Sequence, residues 1–164
     1  MLSAVEIRPV ADHEHARVGA LTVAAYESVP GMPLDGYREA LRDVAGRSAD
    51  AVVLVAVEDG EVLGSVTYVP GPDSASAEFT DPDAAGMRFL AVDPPAHGRG
   101  VGAALTRACL ERARQEGRAR VVLHSTVWMT AALRLYEALG FRRAGELDWT
   151  PEPGATLLGY SYEL

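Results

Sequence analysis

Residues 87–105 read MRFLAVDPPAHGRGVGAAL. Met87 to Val92 is a short apolar run, broken only by Arg88, with the length of a buried strand. Asp93-Pro94-Pro95 ends the run, because proline has no N–H for a sheet ladder. Gly98, Gly100 and Gly102 follow, and an apolar helical stripe begins after them. Glycines at alternate positions remove side chains that would hold a ligand off the backbone N–H groups. A helix start adds unpaired N–H groups and roughly +0.5 charge. The stretch therefore predicts strand, glycine loop and helix N-terminus, together a seat for a phosphate or pyrophosphate.

On the N-terminal side, Val5-Glu6-Ile7-Arg8-Pro9 alternates apolar and polar residues and reads as a first strand. Asp12 is a candidate N-cap for a helix to about Tyr26, with His13 and His15 as surface residues of its first turn. Glu27 to Pro33 is a turn, and a second helix is expected over 34–47 with Tyr37, Leu41 and Val44 on one side. Two strands, 51–57 and 61–69, flank the hairpin signal Asp59-Gly60. Gly64 suggests a bulge or a close backbone approach. Residues 70–86, with three prolines and four acids, read as a long loop of the kind that is often functional.

On the C-terminal side, Val101, Ala104, Leu105 and Ala108 form the inner face of a helix that Gly117 ends. Val121 to Ser125 is the next strand. Thr130 is a candidate cap for a helix over 131–139, which Gly140 ends. Strands at 141–146 and 157–162 close the chain, and the loop between them holds Trp149, Pro151 and Pro153.

The chain has 164 residues, a length that predicts a single domain over 1–164 with its core at 5–162. Its net charge of −8 argues against nucleic acid and against an anionic membrane surface as partners. Cys109 is the sole cysteine, which excludes an internal disulfide and fits a buried structural thiol. No charged-then-apolar leader and no 18-residue apolar run is present, so a cytoplasmic location is expected. No His/Cys/carboxylate grouping has metal spacing, and no metal is expected.

Three kinds of phosphate loop compete for the glycine stretch. A Walker-type loop needs a lysine, and all fifteen basic residues here are arginine. A dinucleotide fingerprint fits as Gly98-x-Gly100-x-x-Ala103, but five residues separate strand from first glycine and no acid lies between Arg118 and Ser125. The third is a coenzyme A pyrophosphate loop. His97-Gly98-Arg99-Gly100-Val101-Gly102 resembles the Arg/Gln-x-x-Gly-x-Gly/Ala loop of the GNAT N-acetyltransferase family, with His97 in place of Arg or Gln. The family's second signature, Asn-x-x-Ala-x-x-Leu-Tyr-x-x-x-Gly-Phe, is matched from Ala132 to Phe141, with Met129 in place of the asparagine.

The resemblance implies an α/β fold: a mixed, mostly antiparallel sheet of about seven strands with about four helices, its central parallel strands splayed to hold acetyl-CoA. It implies acetyl transfer from the acetyl-CoA thioester to an amine. The cofactor residues it points to are Leu90, Ala91 and Val92 on the strand, the run His97, Gly98, Arg99, Gly100, Val101, Gly102 and Ala103, and Ala132 and Tyr136 on the second helix. The Leu90 N–H is expected to meet the carbonyl oxygen, and Tyr136 to give a proton to the leaving thiolate. Many family members carry a glutamate where this chain has Gly86. Glu78 or His124 is then the candidate base, or a water chain serves instead. Tyr26, Glu27 and Met32 are candidates for the acceptor pocket, with the 70–86 loop as its rim. The acceptor is a small-molecule or peptide amine, and a homodimer is common in the family. Two rival readings remain: a coenzyme A-binding regulatory module without strong catalysis, and a dinucleotide-binding protein.

Overall fold

The fold is described here for residues 5–164 from a computed structural model. Seven strands form one sheet in the order β1 (Glu6–Pro9), β2 (Val52–Glu58), β3 (Glu61–Val69), β4 (Ala84–Val92), β5 (Arg120–Ser125), β7 (Leu158–Glu163) and β6 (Arg142–Arg143). Every neighbouring pair is antiparallel except β4 and β5. Alternation along β2 explains the two cores. Leu54 and Ala56 join one cluster under α4 (Val101–Gln115) and α5 (Thr130–Leu139). Val53, Val55 and Val57 join the other, under α1 (His15–Glu27), α2 (Arg38–Arg42) and α3 (Val44–Ser48). A strand covered on both faces reads as a continuous apolar run, as β2 does.

Several boundaries depart from the sequence reading. The helix expected over 34–47 is two short helices, so there are five in all rather than about four. Asp43 breaks it by accepting a hydrogen bond from the Gly46 N–H at 2.9 Å, which starts α3 afresh. Asp12 is not the cap of α1; it sits in a short 3₁₀ turn, and Glu14 instead accepts from the Ala11 N–H at 2.9 Å. β4 begins at Ala84, three residues earlier than expected, which shortens the long loop. β6 is only two residues long, because the chain turns into a 3₁₀ segment at Gly145–Leu147. Thr130 is the first residue of α5 and its side chain makes no cap bond.

Two features of the sheet create the site. The parallel ladder of β4 and β5 ends at the pair Met87 and Leu123, so the strands part beyond that point. On the other edge of β4, Phe89 and Leu90 stand opposite the single residue Val66, because the register passes from Thr67 with Arg88 to Ser65 with Ala91. This is a β-bulge. Phe89 takes φ of 56° there, a left-handed conformation that a bulky residue adopts only under constraint. Gly64 faces the same stretch: an added Cβ would lie 2.9 Å from the Ala91 carbonyl oxygen.

Candidate active site

The bulge divides β4 between two cavities. Beyond it, Leu90, Ala91 and Val92 line a groove of about 600 Å³ that runs past Gly98, Gly100 and the start of α4 to Ala132 of α5. Before it, Arg88 and Phe89 line a second cavity of about 620 Å³, which also receives Glu78 and His124. Tyr26, Trp128 and Met129 border both.

Gly98 and Gly100 take φ of 78° and 84°, open to glycine at no steric cost. The Ala104 N–H makes the first helical bond, to the Gly100 carbonyl at 3.0 Å. The six amides from Gly98 to Ala103 donate to no group among the described residues. Unpaired amides at the positive end of a fifteen-residue helix have the chemistry of an anion seat.

The side chains around the loop correct parts of the sequence reading. Gly102 lines the groove and also lets α4 and α5 pack closely, since an added Cβ there would lie 3.2 Å from Leu135 Cδ2. Arg99 turns away from the groove and pairs with Glu58 at 2.5 Å, leaving only its backbone at the loop. His97 lines the groove, but its Nε2 donates to the Val92 carbonyl at 2.8 Å and ties the loop to the end of β4.

Glu78 and His124, two alternatives from the sequence, come together. Glu78 Oε1 lies 4.0 Å from His124 Nδ1 and 3.2 Å from Arg88 Nε. His124 Nε2 donates to the Leu147 carbonyl at 2.8 Å. That bond fixes the proton on Nε2 in the neutral ring and leaves the Nδ1 lone pair on the side of Glu78. Phe79 explains how the loop reaches the cavity. Its ring covers Gly86, where an added Cβ would come within 2.6 Å of Phe79 Cε1.

Tyr136 is almost wholly buried, with its ring 5.6 Å from that of Phe141. It lines neither cavity, although Ala132 and Leu135 of the same helix line the first groove. Burial pushes its hydroxyl well above the usual tyrosine range, so it holds its proton. Of the turn candidates, Tyr26 and Met32 line the second cavity, whereas Glu27 is exposed and pairs with Arg38. Cys109 is fully buried and burial pushes its thiol up to about 12, which suits a core residue.

The sequence reading did not single out Arg88, Phe89, Tyr37, Trp128 or Trp149 as site residues. Arg47 and Arg88 each lie 4.5 Å from the Phe89 ring centre, and Tyr37 stacks on it at 6.3 Å. The available signal was the pair of tryptophans in loops, where a large aromatic has no core to fill.

Comparison with known proteins places this arrangement. Residues 19–141 match the model of the Acetyltransferase (GNAT) family. A mycothiol acetyltransferase of Cellulomonas flavigena is 30% identical over 155 residues, 93% of this chain and 40% of that protein. Human N-acetylaspartate synthetase is 40% identical over 103 residues, 63% of this chain and 32% of that protein. The chain thus spans about a third to two fifths of the length of such relatives. Among solved structures, a GNAT family acetyltransferase of Brucella melitensis in complex with acetyl-CoA is 26% identical, with 85% of this chain and 83% of that chain covered and a TM-score of 0.62. A ribosomal-protein-alanine N-acetyltransferase of the same organism shares the fold at 22% identity and TM-score 0.71, over 97% and 99% of the two chains. No helix among the described residues is long and apolar enough to cross a membrane. With three quarters of its length inside the family match, and the splayed strands and free loop amides in place, the chain belongs to the GNAT acetyltransferase family.

Proposed function

We propose that this chain transfers an acetyl group from acetyl-CoA to an amine by direct attack, with both substrates bound together. The observation that carries the reading is the meeting of two cavities at the bulge in β4. The amides from Gly98 to Ala103 would hold the pyrophosphate, and Leu90, Ala91 and Val92 would hold the pantetheine arm between the parted strands. Acetyl-CoA supplies the activated acyl group when bound. The Leu90 N–H, at the bulge where Leu90 has no register partner on β3, would donate to the carbonyl oxygen as charge builds there.

Glu78 and His124 act on the amine side. An ammonium of lysine type, with pKa about 10.4, must lose a proton before it attacks. A nitrogen between Glu78 Oε1 and His124 Nδ1 reaches both acceptors across their 4.0 Å gap. Tyr136 keeps its proton, and the family resemblance assigns it as donor to the departing thiolate, a role that Ala132 and Leu135 of the same helix support by lining the groove. Thiol release across an amine panel tests the scheme. Glu78→Gln is expected to slow amines of high pKa far more than those near 8. Tyr136→Phe is expected to lower kcat without raising the KM for acetyl-CoA. Unchanged turnover in both variants would remove these roles.

A further inference from the structure

We infer that the acceptor cavity is built for a cationic amine with a flat apolar body and no carboxylate; this rests on the acetyl-transfer reading and names its second substrate. The walls are aromatic: Tyr26, Tyr37, Phe89, Trp128 and Trp149 all face the same space of about 620 Å³. Four large apolar side chains are exposed among the described residues, and three of them, Val127, Trp128 and Trp149, line this cavity. Such a concentration of exposed apolar surface marks a binding site. Trp128 and Trp149 come from different segments, the turn before α5 and the loop before β7. Two indoles from separate loops lining one cavity suit an aryl group or an alkyl-ammonium.

Charge selects further. Asp35, Glu78 and Glu152 line the cavity, and Asp35 and Glu152 make no ion pair among the described residues. Arg88 is the one arginine on the wall, and it is already used. Its Nε meets Glu78 at 3.2 Å, its Nη1 donates to the Ser76 carbonyl at 3.2 Å, and its face covers Phe89. A substrate carboxylate would meet three acids and one engaged guanidinium, whereas an ammonium meets the acids directly. This distinguishes the cavity from one made for an amino dicarboxylate.

The chain has two tryptophans and both line the cavity, Trp128 bordering the neighbouring groove as well; with coenzyme A already saturating that groove, a further change in emission reports the amine. The experiment titrates protein saturated with coenzyme A, so that no turnover occurs, with 2-phenylethylamine, L-aspartate, spermidine and a short peptide amine. A saturable change in tryptophan emission with 2-phenylethylamine, weaker or absent with the others, is the expected result. Trp149→Ala should weaken that binding by about tenfold while leaving the melting shift caused by acetyl-CoA unchanged. No response to 2-phenylethylamine, or a stronger one to L-aspartate, spermidine or the peptide, overturns the inference. The acetyl-CoA melting shift without amine judges the cofactor reading separately. A normal shift with no amine response sinks the substrate class alone. An absent shift with retained amine binding sinks the cofactor reading and leaves the cavity assignment standing.

Discussion

Phe79 and Gly86 show how a single pair of residues places the carboxylate that the proposed scheme uses. The Phe79 ring fills the space where any side chain at Gly86 would begin, and in doing so it brings Glu78 against Arg88 and His124. Restoring a carboxylate at the strand is therefore expected to fail. Gly86→Glu should displace Phe79, lower the melting temperature and cut the rate by roughly a hundredfold, the low end for a positioned base. Steady-state kinetics with a melting curve checks this, and a faster enzyme would show that Glu78 is not a substitute. At this scale the loop glycines were legible because their spacing alone implies open backbone. The roles of Arg99 and Gly102 were not, since the partners that claim them, Glu58 and Leu135, are 41 and 33 residues distant in sequence. Phe89 gave no signal either, because a left-handed residue inside an apolar run looks like any strand residue.

Among the elements, α4 and α5 set the floor of the cofactor groove, and their separation depends on Gly102. Gly102→Val is expected to push Leu135 aside and cost about 1–3 kcal/mol of stability, which a denaturant titration measures. Unchanged stability would mean that the helices have room to spare. The loop before β7 has its own anchor. Arg143 grips both oxygens of Asp148 at 2.7 and 2.6 Å, and Asp148 also accepts from the Gly159 N–H at 2.7 Å. Together these hold the Asp148 carboxyl down to about 2. Asp148→Asn should loosen the loop that carries Trp149 and raise the KM for amine, while the acetyl-CoA melting shift stays as it was. Existence and type of most elements could be read from periodicity, because a buried strand and an amphipathic helix leave different patterns. The split at Asp43 could not, because a side-chain bond to the Gly46 N–H competes with a helix that the pattern otherwise permits. The end of the β4–β5 ladder is likewise a tertiary event with no local mark.

For the whole molecule, the sheet is a frame with helices on both faces and one deliberate opening. β1 is tied to α1 by Arg8, which meets both oxygens of Glu14 at 2.9 and 2.8 Å. That pairing holds the Glu14 carboxyl down to about 2. A carboxyl depressed in the folded state stabilises the fold above its unfolded pKa near ~4.3, and the contribution is lost as pH falls through that value toward 2. Glu14→Gln is expected to cost about 2 kcal/mol at pH 7 and progressively less as pH drops from 5 to 2. Urea melts across that range check it, and a constant difference would contradict the linkage. The fold was legible as a whole because two short signatures, one at the loop and one on α5, imply the sheet that must join them. The shape of the acceptor cavity was not, since its walls come from five separate segments of chain.

Calorimetric titration of acetyl-CoA into the wild-type chain and into Gly100→Val tests the central claim most directly. A valine at φ of 84° is strained by roughly 1–2 kcal/mol and stands over the free amides, so the account predicts a folded variant that no longer binds. Wild-type affinity in the folded variant, or no binding to the wild-type chain, would contradict the pyrophosphate seat from Gly98 to Ala103.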